Sequence, residues 1–313
     1  MVIHEIQSDI KAIEENSALR EETNFDSRVE AIDYLEFNVI DRIEGLLHTV
    51  NPPEELVTLK QDAERVKRQL EDVDDTLFQR LRADIRGGGC TGTALRSRIN
   101  EYVGRDAGGS PRHDEIGYDS LDLFINGLLL SQAVPLETKA REPEMVAYQQ
   151  TPARIIFELV EQAHLTREDV FYDMGSGLGQ VPILVHLLTG AAAKGIEFEP
   201  AYCDYARACA ADLNLSGVEF INADARTADY SDGTVFFMYT PFVGSILQDV
   251  LEKLRGESQK RRIRLFIYGP CTPQVSRQSW LKCVDQNGDD LYKLGIFTAF
   301  QPVDTTRCVC GSF

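Results

Sequence analysis

The stretch Val170-Phe171-Tyr172-Asp173-Met174-Gly175-Ser176-Gly177-Leu178-Gly179-Gln180 limits the fold of this chain more than any other. Val170, Phe171 and Tyr172 are strand formers. Asp173 stands at the strand's end, and three glycines at alternate positions let the backbone turn sharply and approach a ligand with no side chain between. Val181, Ile183, Leu184, Val185, Leu187 and Leu188 then predict a helix apolar on most faces and so packed inside. The amides of that helix's first turn are expected to face a negative ligand group.

Beyond the glycines, strand and helix alternate. A strand ends at Gly195-Ile196-Glu197, a helix runs from Pro200 to about Leu213, and Val218 to Ile221 is the next strand, with Asp224 in the loop after it. Val235 to Tyr239 is a strand, a helix follows near Val243 to Leu254, and Arg262 to Tyr268 is a strand again. Leu291 to Phe300 and Thr306 to Val309 have no helix between them and predict a terminal antiparallel hairpin. Alternation of this kind specifies an α/β fold: a Rossmann-like, mostly parallel sheet with helices on both faces.

The amino-terminal part reads differently. Residues 1–86 are acidic and, apart from Gly45, free of glycine. Val29, Ile32, Leu35, Val39, Ile43, Leu46 and Val50 recur at helical steps. After the turn at Asn51-Pro52-Pro53, a narrower stripe runs through Leu56, Leu59, Ala63, Val66, Leu70, Val73 and Leu77. The expectation is a helical hairpin over about 29–84, its stripe covered either by its own domain or by a second copy in a homodimer. Glycines 87–89 and Gly92 predict a hinge, followed by a helix over 93–103. Residues 104–117 are a polar loop carrying a basic island of Arg105, Arg112 and His113, and a helix follows to Leu130. The expected organisation is a helical region over 1–130, a charged linker over 131–150 and an α/β domain over 151–313, whose first helix is capped by Thr151 and Pro152.

A net charge of −18 argues against unaided binding to nucleic acid or anionic membranes and leaves a small molecule or a basic protein as partner. The seven cysteines are scattered, with no spacing that marks a disulfide framework or a metal site, and Cys308 and Cys310 read as strand residues. No leader or membrane-length apolar run is recognised, so a cytoplasmic address is expected.

Asp173 with its glycines, Glu197, Asp224 and Tyr239-Thr240-Pro241-Phe242 all fall at strand carboxyl ends, where open α/β sheets bind ligands. A dinucleotide enzyme would also place an acid near Glu197. Its glycines, however, follow G-x-G-x-x-G, whereas these follow an acid as G-x-G-x-G, and it has no use for a third acid at Asp224.

The constellation resembles the class I S-adenosylmethionine-dependent methyltransferases over about residues 148–310. The resemblance implies Asp173, Gly175, Ser176, Gly177 and Gly179 as the first cofactor motif. It further implies Glu197 as the ribose acid, Asp224 as the adenine contact, and Phe198 or Ala225 as the wall of the adenine face. Residues 169–181 are similar to the first motif of the Dot (disruptor of telomeric silencing) histone lysine methyltransferases. That likeness adds Gln180, Tyr148 and Thr151 to the cofactor set. It departs after the fourth strand, where the family has an Asn-Asn-Phe segment and this chain has Met238-Tyr239-Thr240-Pro241-Phe242. Tyr239, Thr240 and Phe242 are expected to position the acceptor, as in the related amino-group enzymes. They offer no acid or amide, so transfer is expected to rest on placement rather than acid–base chemistry. A non-catalytic S-adenosylmethionine sensor is the second expectation.

Overall fold

The computed structural model describes residues 2–48, 53–103, 119–130, 133–285, 288 and 290–300. The basic island, the Asn51-Pro52 turn, Cys308, Cys310 and the strand expected at 306–309 lie outside the described residues. The chain divides into two compact units: residues 1–131 with 152–154, and residues 132–151 with 155–313.

The helical unit is built on α4 (Glu55–Arg86), whose 32 residues span about 48 Å at the standard rise. Leu56, Leu59, Ala63, Val66 and Leu70 are buried against Ile6 and Ile10 of α1 (Val2–Glu15). On the other side they meet Leu35, Val39, Ile40 and Ile43 of a helix running from α2 (Phe25–Asp33) to α3 (Asp41–Leu47). The stripe that offered a seam for a second copy is thus filled within the chain. Residues 34–40 adopt the wider π-helical turn, and three of its residues, Leu35, Val39 and Ile40, are buried. Farther along α4, Phe78 meets Phe25 and Phe124 edge-on at 5.9 and 5.4 Å between ring centroids. Arg28 is fully buried there, donating to Asp74 at 2.7 Å and to the carbonyls of Leu19 and Glu21.

In the second unit, β1 (Val170–Met174), β2 (Ala192–Glu197), β3 (Val218–Asn222), β4 (Val235–Tyr239), β5 (Arg264–Tyr268), β6 (Leu281–Cys283) and β7 (Gly295–Ala299) form one sheet. Its order is β3-β2-β1-β4-β5-β7-β6. The first five are parallel, and β7 runs antiparallel between β5 and β6. The carboxyl-terminal strands are antiparallel as expected, with 295–299 paired to Arg264–Tyr268 on one side and to Leu281–Cys283 on the other. The latter strand is three residues long, too short for a period-2 pattern to reveal. Val235, Phe236, Phe237 and Met238 are fully buried, as a central parallel strand covered on both faces requires. The helical unit also holds α5 (Gly92–Val103) and α6 (Ser120–Leu129); the later helices are α7 (Ala153–Ala163), α8 (Gln180–Thr189), α9 (Pro200–Asp212), α10 (Gly244–Ser258) and the short α11 (Thr272–Ser276). Strand order reverses between β1 and β4, so a crevice opens at their carboxyl ends.

Candidate functional site

Gly175, Gly177 and Gly179 have φ of +98°, +50° and +85°, a region open to glycine at no steric cost. A Cβ on Gly175 would run into Pro241, one on Gly177 into the Tyr148 ring, and one on Gly179 into Phe220 and Ala206. The turn is therefore packed from three directions as well as bent. Its amides are used by the protein itself. Gly175 and Ser176 donate to the Ile196 carbonyl, Gly177 donates to Glu197, and Gly179 donates to the Ser176 carbonyl. The anion cradle expected from this turn is correspondingly narrower, and Pro182 removes one further donor from the first turn of α8.

A cleft of about 1000 Å³, its open mouth included, lies at the switch point. Of the residues expected to hold a cofactor, Tyr148, Gly175, Gly177, Glu197, Phe198, Asp224 and Ala225 border it. Thr151, Asp173, Ser176, Gly179 and Gln180 do not; apart from Gly179, which carries the turn, they are buried side chains. Tyr239, Thr240 and Phe242 form its other end, with Met145, Ile246 and Pro270.

The acids differ in their surroundings. Glu197 accepts from the Gly177 amide at 2.7 Å and the Glu199 amide at 2.8 Å, which ties the end of β2 to the glycine turn. Burial still raises its pKa against those bonds. Asp173 is 3% exposed, and its carboxyl has no hydrogen bond or ion pair among the described residues. Burial, reinforced by Glu197, pushes its carboxyl well above the usual range. Asp224 goes the other way, because the Arg226 side chain holds it below the usual range. Arg226 donates from Nε at 3.1 Å and from Nη2 at 2.6 Å, and its backbone amide donates at 2.8 Å.

The Thr240 hydroxyl is engaged on both sides within the protein. The hydroxyl donates to the Tyr268 carbonyl at 3.1 Å and accepts from the Cys271 amide at 3.2 Å, tying the end of β4 to the loop after β5. Thr240 nonetheless borders the cleft, the place expected of a residue that positions the acceptor. Thr240 also has φ +42°, a strained conformation for a β-branched residue.

The larger surprise is residues 137–149. Expected as a linker, they form one wall of the cleft through Glu137, Lys139, Arg141, Met145 to Tyr148 and Gln149. Carboxylates hold this strap in place. Glu199, the N-cap of α9, accepts from the Thr138 hydroxyl at 2.5 Å and the Lys139 amide at 2.8 Å. Glu142 accepts from Arg226. Glu144 accepts from the Ser245 hydroxyl at 2.7 Å and the Ile246 amide at 2.9 Å, so it caps α10 from a hundred residues away. Backbone bonds between Val146 and Pro241 and between Val243 and Glu144 complete the seam. The Tyr148 ring lies 5.5 Å from that of Tyr202, and the Lys139 ammonium sits 3.4 Å over the Phe198 ring. The density of charge along 137–144 was the sequence signal, and hydropathy could not read it.

Residues 141–235 match the family described as "Histone methylation protein DOT1". Among solved structures, an RNA methyltransferase from Salinibacter ruber in complex with S-adenosyl-L-homocysteine is similar at 25% identity. The match covers 51% of this chain and 97% of that one, with a TM-score of 0.37. Precorrin-6y C5,15-methyltransferase from Geobacter metallireducens GS-15 is similar at 17% identity over 52% and 94%, with a TM-score of 0.37. An S-adenosylmethionine-dependent methyltransferase from Thiobacillus denitrificans, also with S-adenosyl-L-homocysteine, is similar at 19% identity. There the match covers 36% of this chain and 46% of that one, with a TM-score of 0.29, so this chain spans less than half its length. No curated protein matches. The family match takes in the strap from Arg141 onward, the glycine turn, Glu197 and Asp224. The α/β unit is a class I methyltransferase domain, with S-adenosylmethionine as its cofactor.

Proposed function

We propose that this chain transfers a methyl group from S-adenosylmethionine to a neutral nucleophile that enters between Tyr239 and Phe242, and that the acceptor belongs to a protein. The observation that carries the reading is the convergence of Glu197, Asp224 and the glycine turn on one cleft at the switch point, with an aromatic mouth at its far end. The residues fit the cofactor. Glu197 keeps lone pairs beyond its two backbone bonds for a ribose diol, and Asp224 keeps them for an exocyclic amine. Asp173, buried without a counter-charge, suits a ligand that brings an ammonium, and the Ser176 hydroxyl is buried without a partner. When bound, the cofactor supplies a methyl carbon already activated by a sulfonium.

What this chain supplies is placement. The apolar mouth of Met145, Tyr239, Phe242, Ile246 and Pro270 excludes water and gives no carboxylate to hold an acceptor in its charged form. Glu144, the acid nearest in sequence to this mouth, is spent on the α10 cap. An amine acceptor therefore enters as the free base, and rate rises with pH through the acceptor's own pKa. The DOT1 match supports a protein acceptor. The acidity of the chain favours a basic one. A non-catalytic sensor is the second reading, and the observation favouring it is the tied-down Thr240 hydroxyl.

Transfer of labelled methyl from S-adenosylmethionine to a panel of basic proteins, core histones included, and to small amines tests the proposal. Label in protein, lost in Phe242→Ala with cofactor binding retained, is the expected result. Cofactor binding with no label in any acceptor would favour the sensor.

A further inference from the structure

Arg226 is not a residue the cofactor motif predicts, and its side chain does not border the cleft. It nonetheless joins two things that do. Its guanidinium meets both oxygens of Asp224, at 3.1 Å from Nε to each and 2.6 Å from Nη2 to Oδ2, while its own backbone amide fixes Oδ1 at 2.8 Å. The same Nη2 reaches Glu142 of the strap, 84 positions back along the chain. One cation thus serves two carboxylates, one on the loop after β3 and one on the segment that walls the cleft.

We propose that Arg226 is a latch: it fixes the carboxylate of Asp224 in the orientation that reads an adenine amino group and, through Glu142, makes closure of the strap depend on the same cation. The inference rests on the methyltransferase reading above and goes beyond it. The chemistry follows from the fork. Three N–H donors of Arg226 hold both oxygens of Asp224, so its rotamer is fixed before a ligand arrives, and about four lone-pair sites on the carboxylate leave capacity for one further donor. Opening the strap breaks the Glu142 bond, and a ligand that keeps the strap closed keeps Asp224 in register. Side chains here are 21–45% exposed, so the pair adds little to folding stability. Its effect belongs to ligand retention.

The test uses the full chain and two ligands, S-adenosylhomocysteine and its deaminated analogue S-inosylhomocysteine, which has an oxygen in place of the adenine amine. Affinity and dissociation rate are measured for wild type, Arg226→Ala, Arg226→Lys, Glu142→Gln and the double variant Arg226→Ala/Glu142→Gln. Wild type binds the adenosyl ligand and prefers it by about tenfold or more, as a site built around a hydrogen bond does. Arg226→Ala releases it about tenfold faster and loses most of that preference, a coupling of ordinary size. Glu142→Gln also releases it faster and keeps the preference. The double variant is no worse than Arg226→Ala alone, because one path is cut twice. Arg226→Lys, which keeps the charge without the fork, falls between, and it carries the test with Glu142→Gln should Arg226→Ala fold poorly. Unchanged release and unchanged preference in Arg226→Ala would overturn the latch, as would additive losses in the double variant. Failure of wild type to bind either ligand is a separate result, which removes the methyltransferase reading and the latch with it.

Discussion

The cleft has two walls made by opposite means. The sheet wall is covalently local and largely desolvated: glycines at left-handed φ, strand ends, and two buried acids, Asp173 and Glu197. The strap wall is a polar segment brought in from about forty residues upstream and held by carboxylates that accept from hydroxyls, amides and one guanidinium. The first wall is rigid because any added atom collides. The second is held by bonds that water can replace. A cofactor site of this construction keeps a fixed floor and a closable side, so damage to the floor abolishes binding while damage to the strap changes how long a ligand stays.

The largest effect is expected on the floor. Gly179→Ala forces a Cβ into Phe220 and Ala206 at a φ of +85°, and destabilisation of about 2–3 kcal/mol is expected in denaturant unfolding, from overpacking and backbone strain together. Gly190→Ala shares a positive φ but meets only Arg167 at 3.8 Å, so it costs less and separates strain from collision.

Asp173→Asn sharpens the contrast further, because it pits stability against binding. The folded pKa of Asp173 lies above its unfolded value, so the folded state holds the extra proton. Wild-type stability therefore falls as pH rises from the ordinary carboxylate range through the raised value. Asp173→Asn removes that decline: its empty form unfolds later than wild type at neutral pH, yet binds S-adenosylhomocysteine at least about a hundredfold more weakly, the cost of losing a charged partner. A thermal melt across pH 4–8 checks the first half and calorimetry the second.

Thr240→Ala is next. It frees the Tyr268 carbonyl and the Cys271 amide inside a buried loop, a loss of about 1–2 kcal/mol in unfolding, with cofactor affinity unchanged. A variant as stable as wild type would mean that the hydroxyl bonds add nothing.

The smallest effect belongs to the strap. Glu144→Gln keeps shape and removes charge from the α10 cap. The Ile246 amide and the Ser245 hydroxyl lower the pKa of Glu144, so its contribution is full above the ordinary carboxylate range and fades as pH falls through the lowered value. Faster ligand release at pH 7, converging with wild type in acid, is the expected pattern. A loss of binding as complete as in Asp173→Asn would erase the difference between the walls.

The floor was legible because its requirements are local. A strand, a left-handed turn and a buried helix each leave a signature within a dozen residues, and Glu197 and Asp224 follow from counting strand ends. The strap was not. Lys139, Glu142 and Glu144 look like any solvated run until Glu199, Arg226 and α10 stand opposite them, and those partners are 60 to 102 positions away. The same holds for Thr240: its strand-end position was readable, but not that Tyr268 and Cys271 take its hydroxyl. In the helical unit the stripe of α4 was plain, while its cover depended on α1 and on a π-helical turn at 34–40 that no periodicity announced. Short β6 escaped for the reason that three residues carry no period.

The central claim is that this cleft binds S-adenosylmethionine through the acids at the strand ends. Calorimetric titration of S-adenosylhomocysteine into wild type and Asp173→Ala tests it most directly. Micromolar binding by wild type that disappears in the variant, with both proteins folded by circular dichroism, is the result predicted here. Equal affinity in the two, or no heat from folded wild type, would contradict it.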